Sequence, residues 1–209
     1  MNYKIALIRG DGIGPEIVGE AVKVLTCIGE KYGHTYDFSE VLMGGCASDA
    51  VGKSYPDGTA EQCRACDAVL LGAVGTPKWG PDKPALQRPE TALLDIRRDL
   101  RLYANLRPAA LRPALADACP LKAETARKGI DLMMVRELTG GIYFGKRDKY
   151  QTEDRGLEAT DLMAYSEKEI ERIGRRAFEL ARLRRKKVSS VDKANVLETS
   201  RLWRSVMHR

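Results

Sequence analysis

An apolar strand pattern that runs directly into a glycine turn and a helix constrains the fold of this chain most. Residues 3–8 read YKIALI, residues 10–16 read GDGIGPE, and an amphipathic pattern continues to about Lys31. Pro15 suits the first turn of a helix, where its missing N–H would be unpaired anyway. The apolar stripe of this helix is formed by Ile17, Ala21, Leu25 and Ile28. The chain therefore opens with a β-turn-α unit.

Strand and helix patterns continue to alternate along the chain. Strand-like stretches lie at 36–45, 67–75, 103–108, 130–138, 140–146 and 188–198. Helical patterns follow at 91–102, 166–182 and 199–207, and residues 147–165 suit an extended arm or hairpin. Ser166 and Glu169 have the spacing of a capping box at a helix start. Strands separated by helices predict a parallel or mixed sheet with helices packed on it.

Two loops are candidates for ligand contact. The turn GDGIGPE is not the dinucleotide fingerprint, because G-x-G-x-x-G requires glycine where Pro15 stands. It can present backbone N–H groups to a ligand at a helix N-terminus, or it can serve only as a tight strand-to-helix turn. The loop at 76–90 contains four prolines, and loops of this length in compact domains are usually functional.

Several charged and phenolic side chains lie at the ends of predicted elements. Arg97, Arg107 and Arg136 could hold a dicarboxylate if they converge, since a guanidinium binds a carboxylate in a bidentate fork. Lys193 could act as a base if its surroundings lower its pKa, and Tyr143 could transfer a proton through its phenol. The alternatives are three unrelated surface arginines, a solvated lysine and a packed tyrosine.

Composition excludes several classes of protein. The 209 residues are 44% apolar and 31% charged, and no apolar run is long enough for a membrane span. The N-terminus has no signal-peptide pattern. Together these features predict a cytoplasmic protein. The net charge of +6 is concentrated in RLRRKK at 182–187 without interleaved aromatic residues, so nucleic-acid binding is not expected. Cys63 and Cys66 are spaced C-x-x-C, but no second pair or nearby histidine completes a metal site. Reduced, mostly buried thiols are therefore expected.

Five strings, taken in order, resemble the isopropylmalate/isocitrate family of β-decarboxylating dehydrogenases. They are GDGIGPE, LLGAVGTPKW, RPETALLDIRRDLRLYANLRP, VRELTGGIYFG and SVDKANVLETSRLWR. The resemblance extends over nearly the whole chain and implies an α/β fold with a three-layer mixed sheet in two domains. The first would be the nicotinamide side, at 1–99, and the second the substrate and dimer side, at 100–209.

The resemblance also implies an activity and a set of site residues. Such enzymes oxidise a 2-hydroxy dicarboxylate with NAD and release CO₂ with the help of Mg²⁺ or Mn²⁺, as homodimers whose active site is shared between subunits. By resemblance, Arg97, Arg107 and Arg136 bind substrate and Tyr143 protonates the enolate. Lys193 is implied to accept or relay a proton, reaching into the partner subunit's site. The residues implied to contact NAD are Ile13, Thr76, Pro77, Lys78, Trp79 and Glu90, although Thr76 stands where the family usually has glycine. The residues implied to form the pocket for the substrate's alkyl group are Glu90, Leu93, Leu94 and Val196, the last from the partner subunit.

Substrate choice is implied by the same pocket. Leu93 and Leu94 suit the isopropyl group of 3-isopropylmalate, because an apolar pocket would leave the extra carboxylate of isocitrate unpaired. The expected activity is oxidative decarboxylation of 3-isopropylmalate to 2-oxo-4-methylpentanoate in leucine biosynthesis, ahead of isocitrate, homoisocitrate or tartrate/malate.

The family chain is longer, which leaves two hypotheses. The aspartates that hold the metal are expected beyond Arg209, together with the adenine-binding loop, so no metal ligand is assigned here. The chain is then either the N-terminal portion of such an enzyme, expected to be inactive alone, or an inactive binding module that could pair with a full-length subunit.

Overall fold

The computed structural model describes all 209 residues and divides into two compact units, Met1–Arg101 and Leu102–Arg209. The first unit contains β1 (Asn2–Ile8), α1 (Gly14–Tyr32), β2 (Thr35–Glu40), α2 (Gly45–Val51), α3 (Thr59–Arg64), β3 (Ala68–Leu71) and α4 (Pro89–Asp99). The second contains β4 (Ala104–Ala110), α5 (Ala123–Arg127), β5 (Asp131–Glu137), β6 (Arg147–Thr152), β7 (Gly156–Asp161), α6 (Glu167–Arg182) and α7 (Glu198–Met207). The roles predicted for domains 1–99 and 100–209 stay predictions.

The first unit is built on a parallel sheet in the order β2-β1-β3. Its central strand is covered on both faces. Ala6 and Ile8 pack in one core cluster with Ile96 of α4, while Ile5 and Leu7 pack with Val18 of α1 in another. Burial on both faces explains why β1 is a continuous apolar run rather than an alternating one.

The turn after β1 requires glycine because backbone segments approach each other closely there. A side chain at Gly10 or Gly14 would overlap the carbonyl of Ala73, in the segment that follows β3. The N–H of Asp11 donates to that same carbonyl at 2.7 Å. The glycines therefore bring the loops after β1 and β3 together at the carboxyl edge of the sheet.

The second unit contains two antiparallel strand pairs, β4-β5 and β6-β7. Helix α6 packs against β5 and α7, with Ile170 and Ile173 buried. The capping box is confirmed: the N–H of Glu169 donates to Ser166 Oγ at 3.3 Å, and the N–H of Ser166 donates to Glu169 Oε2 at 2.7 Å. Of the two forms expected for 147–165, an extended arm or a hairpin, the structure shows a hairpin, β6-β7. None of the helices combines the length and apolar character that a bilayer span needs.

The structure confirms the α/β class and corrects several details. Parallel and antiparallel pairings occur in separate sheets rather than in one mixed sheet, because consecutive strands of the second unit pair locally with each other. Strand β4 continues through Pro108 to Ala110, since proline is tolerated in a strand with an unpaired edge. The segments 140–146 and 188–198 are not strands: the first forms a 3-10 turn at Gly141–Tyr143, and the second lacks a ladder partner.

Candidate active site

A buried carboxylate organises the carboxyl edge of the parallel sheet in the first unit. Asp11 is only 5% exposed. Its Oδ2 accepts from the N–H groups of Gly45 and Gly75, and its Oδ1 accepts from the N–H of Cys46, all at 2.7 Å. These three donors belong to the start of α2 and to the loop after β3. Asp11 thus ties together the three loops at the edge where ligands bind in open α/β sheets.

The residues predicted to contact NAD surround this edge. Ile13 precedes α1 and is 55% exposed. Lys78 forms an ion pair with Asp49 and lies 5.3 Å from the centre of the Trp79 ring, while Pro77 is exposed and Thr76 half-buried. The indole Nε1 of Trp79 and the Nε of Arg88 are buried without a hydrogen-bond partner. The loop therefore contains two donors that could serve an acceptor on a ligand.

Helix α4 contains the first-unit residues that were predicted to line the pocket for the substrate's alkyl group. Glu90 is exposed on its first turn, and Leu93 and Leu94 are half-buried one turn further. Leu93 packs against the core cluster that contains Ile96, so part of its side chain serves the fold. Arg97 is half-buried near the end of the same helix.

In the second unit, two of the predicted arginines share one face of the β4-β5 ladder. Asn105 is directly opposite Arg136, and Arg107 is directly opposite Met134. Opposed residues of an antiparallel pair point to the same face, and so do residues two apart on one strand. Arg107 is held by its neighbour, because its Nε donates to Asn105 Oδ1 at 2.6 Å.

The turn at 141–143 places the predicted phenol beside the predicted guanidinium. The Cζ of Arg136 lies 5.1 Å from the centre of the Tyr143 ring, within the range of a cation–π contact. Tyr143 is 44% exposed, so solvent or a ligand can reach it. A bidentate donor and a phenol are therefore adjacent on one surface.

A second tyrosine occupies the space above the two glycines of this turn. A Cβ at Gly140 would lie 3.0 Å from Tyr165 Cδ1, and a Cβ at Gly141 would overlap the Tyr165 hydroxyl. Burial first, and then the negative charge of Glu137, raises the pKa of Tyr165. The glycines between Arg136 and Tyr143 thus leave room for a ring of the protein itself.

The residue after Arg136 is a buried acid that anchors the same turn. The side chain of Glu137 is 1% exposed, and its Oε1 accepts from the N–H groups of Thr139 and Gly140 at 2.8 and 3.2 Å. Arg172 of α6 donates to both of its oxygens, at 2.9 and 3.1 Å. Glu137 therefore fixes the end of β5 to α6.

The predicted base lies in a turn that precedes α7. Lys193 is exposed, and its carbonyl accepts from the N–H groups of Val196 and Leu197, both at 3.0 Å. Val196 is 59% exposed. Asp192 holds this turn to α7 by accepting from Arg204 at 2.7 Å, and that hydrogen bond lowers the pKa of Asp192.

Cysteine and carboxylate clusters give no further site. The five cysteines are free thiols, but only Cys63 is buried and Cys27 is exposed, so the expectation of mostly buried thiols is wrong. Burial raises the pKa of Cys63, which disfavours a reactive thiolate. No three His, Cys, Asp or Glu side chains lie close enough together to hold a metal ion.

Comparison with known proteins identifies the family. The family described as "Isocitrate/isopropylmalate dehydrogenase" matches residues 4–209. The chain belongs to this family. A 3-isopropylmalate dehydrogenase of Nitratidesulfovibrio vulgaris is 55% identical over 207 residues, covering 99% of this chain and 58% of that protein. One of Moorella thermoacetica is 57% identical, covering 98% and 57%. The chain thus spans a little over half the length of the curated relatives it matches.

Solved structures confirm the fold of the family. The isocitrate dehydrogenase of Methylococcus capsulatus superposes with a TM-score of 0.78 at 33% identity, covering 99% of this chain and 56% of that one. The β-decarboxylating dehydrogenase of Thermococcus kodakarensis, in its apo form, gives 0.68 at 31% identity, covering 99% and 53%. The fold is shared with a structure named for isocitrate, so the fold alone does not select one substrate within the family.

Sequence reasoning missed three residues that organise these surfaces, namely Asp11, Glu137 and Tyr165. The first two were within the strings that carried the resemblance, and an acid flanked by glycines at a strand end was a usable signal for Asp11. Tyr165 gave no local signal, because its contact with the glycine turn joins residues more than twenty positions apart.

Proposed function

We propose that the complete protein containing this chain catalyses NAD-dependent oxidative decarboxylation of 3-isopropylmalate to 2-oxo-4-methylpentanoate, in leucine biosynthesis. The observation that carries the proposal is the pairing of Arg136 with Tyr143 beside Arg107. The curated relatives at 55% and 57% identity bear the name 3-isopropylmalate dehydrogenase. A homodimer and a cytoplasmic location belong to the same proposal.

Substrate binding is assigned to the arginines. Arg107 and Arg136 project from the same face of a paired ladder, so their forks can hold carboxylate groups with little loss of side-chain freedom on binding. Arg97 supplies the third positive charge in this proposal. Leu93 and Leu94, with Glu90 at the rim, accommodate the isopropyl group, and Val196 completes that pocket in the dimer.

Proton transfer is assigned to Lys193 and Tyr143. Lys193 takes the proton of the substrate's C2 hydroxyl, and NAD⁺, when bound, would be the oxidant that accepts the C2 hydride. Loss of CO₂ from the resulting β-keto acid leaves an enolate, and Tyr143 donates a proton to its carbon. The 44% exposure of Tyr143 and its position against Arg136 support this role.

The residues present fit the nicotinamide end of NAD but not the metal. Ile13 is exposed just before α1, and the loop at 76–90 contains two buried donors without partners, Trp79 Nε1 and Arg88 Nε. A buried donor left unpaired costs about 1–3 kcal/mol, so this loop would gain from an acceptor on the cofactor. No three His, Cys, Asp or Glu side chains of this chain form a cluster suited to Mg²⁺ or Mn²⁺.

The test measures NADH formation by the complete protein with 3-isopropylmalate, NAD⁺ and Mg²⁺ or Mn²⁺. Arg136→Lys should lose about 1–3 kcal/mol of substrate binding, because a lysine cannot form the bidentate fork. Tyr143→Phe should retain binding while kcat collapses, because phenylalanine has no proton to give. Wild-type kcat/KM in the first variant or wild-type kcat in the second would remove that residue from the site.

The second candidate function is the same reaction on the substrate of another enzyme of the family, because the structure with the TM-score of 0.78 is an isocitrate dehydrogenase. The same assay with isocitrate, homoisocitrate and tartrate compares kcat/KM values directly. We expect 3-isopropylmalate to be preferred because Leu93 and Leu94 leave a charged substituent unpaired. A higher kcat/KM for isocitrate would reject the assignment, and inactivity with every substrate would favour a binding module.

A further inference from the structure

We infer that Tyr165 is a positioning residue whose ring holds the 140–143 turn so that the Tyr143 phenol stays against Arg136. The inference rests on the proposed function for its kinetic consequence. Its structural part stands on contacts within the second unit alone.

The ring of Tyr165 lies against the two glycines of the turn. A Cβ at Gly140 would be 3.0 Å from Tyr165 Cδ1, and one at Gly141 would lie 2.7 Å from Tyr165 Cζ. The N–H of Gly141 also donates to the carbonyl of Ala164, the residue before Tyr165, at 2.8 Å. The turn is therefore held by a ring on its surface and by a hydrogen bond next to that ring.

The far side of Tyr165 is itself fixed. Trp203 of α7 contacts its ring edge to face, with centroids 5.7 Å apart and planes at 75°. The indole N–H of Trp203 donates to Ser190 Oγ at 3.0 Å. Tyr165 is followed directly by Ser166, which caps α6. A ring supported by α7 and by the start of α6 can hold a turn that has no side chains of its own at 140 and 141.

The backbone before the turn is held independently. Glu137 accepts from the N–H groups of Thr139 and Gly140, and Arg136 sits within the β4-β5 ladder. Losing the Tyr165 ring should therefore leave the arginines in place and release only Tyr143. This predicts a fall in kcat with little change in KM for the dicarboxylate.

The first experiment compares Tyr165→Leu with Tyr165→Phe in the complete protein. Tyr165→Leu removes the ring and should lower kcat on the order of tenfold to a hundredfold, because misplacing a reacting group by about 1 Å has that effect. Tyr165→Phe keeps the ring and should restore kcat with unchanged KM. Tyr32→Leu, at an exposed tyrosine of the first unit, is the matched control. Wild-type kcat in Tyr165→Leu, or an equal loss in Tyr165→Phe, overturns the inference.

A second variant guards against general misfolding of Tyr165→Leu. Gly140 has φ −100°, which alanine can adopt, so Gly140→Ala perturbs the turn through its contacts with Tyr165 and Glu169. Gly140→Ala should lower kcat alone but add less than that loss in the double variant with Tyr165→Leu, because the contact with the Tyr165 ring is then gone while the contact with Glu169 remains. Additive losses would show that the two residues act separately and would reject the inference.

Hydrogen exchange separates this inference from the proposed function. The amides of the 141–143 turn should exchange faster in Tyr165→Leu and at the wild-type rate in Tyr165→Phe and Tyr32→Leu, whereas those of 137–140 should be unchanged. Absence of NADH formation by the wild type would reject the proposed function and leave this measurement intact. Unchanged exchange in Tyr165→Leu would reject the positioning role even in an active enzyme.

Discussion

Replacing Asp11 by asparagine tests whether one buried carboxylate holds the carboxyl edge of the first unit together. The carboxylate accepts three N–H groups at 2.7 Å, from Gly45, Cys46 and Gly75. Hydrogen bonds to a charged acceptor contribute about 1.5–3 kcal/mol each, and neutral ones about 1 kcal/mol.

Asparagine keeps the shape of the side chain but only one acceptor oxygen. In its better orientation that oxygen replaces Oδ2 and keeps Gly45 and Gly75, while the NH₂ group faces the N–H of Cys46. Three charge-assisted bonds are then replaced by two neutral ones and a pair of opposed donors. After allowance for the lower cost of burying a neutral group, we expect Asp11→Asn to destabilise the first unit by about 3 kcal/mol.

The assay is urea unfolding followed by the fluorescence of Trp79. A Cβ at Gly45 would lie 2.6 Å from Cδ1 of that ring, so Trp79 lies next to a residue whose N–H donates to Asp11. A Trp203→Phe background removes the signal of the second unit. The control is Asp57→Asn, because Asp57 is 92% exposed in its pair with Lys53 and should cost at most about 0.5 kcal/mol. A loss below about 1 kcal/mol in Asp11→Asn would refute the role of Asp11.

Three further outcomes follow from particular contacts. Ser166→Ala should destabilise the second unit by about 1 kcal/mol through loss of the α6 cap, whereas Ser205→Ala, exposed on α7, should not. Burial raises the pKa of the Tyr55 phenol in the folded protein. The part of the unfolding free energy that depends on this shift is fully present below the unfolded-state pKa of about 10 and is lost as pH rises above that value. The slope of unfolding free energy against pH above 10 should therefore be shallower in Tyr55→Phe, and an unchanged slope would contradict the assignment. Alkylation of the native protein should modify exposed Cys27 at least about tenfold faster than Cys63, whose thiol is buried with a raised pKa; equal rates would contradict this order.

Much of the fold could be predicted because its signals are local. The continuous apolar run at 5–8 indicates a strand buried on both faces, and the glycine turn with Pro15 indicates a strand-to-helix junction. The capping box at Ser166 and the hairpin at 147–161 were equally local. The strand predicted at 140–146 failed because alternation of apolar residues over a short stretch cannot be told from a turn whose side chains pack individually.

The candidate site could be predicted only in part. A single string, VRELTGGIYFG, contains both Arg136 and Tyr143, and the resemblance supplied their roles as expectations. Their contact depends on a 3-10 turn that is held by Glu137 and Tyr165. Residues 137 and 165 act on the same turn from different parts of the chain, and no periodicity or motif spacing reports such a contact.

By itself the sequence determined the family, the residue identities available for chemistry and the elements with strong local signals such as β1, α1 and α6, because propensity, caps and apolar patterning act over a few residues. Only the tertiary structure decided that Asp11 joins three loops and that a tyrosine ring fills the space over Gly140 and Gly141. The physical reason is that a buried carboxylate or ring contacts residues that are distant in sequence and meet only when the chain folds. A local sequence pattern shows only the residues next to it in the chain.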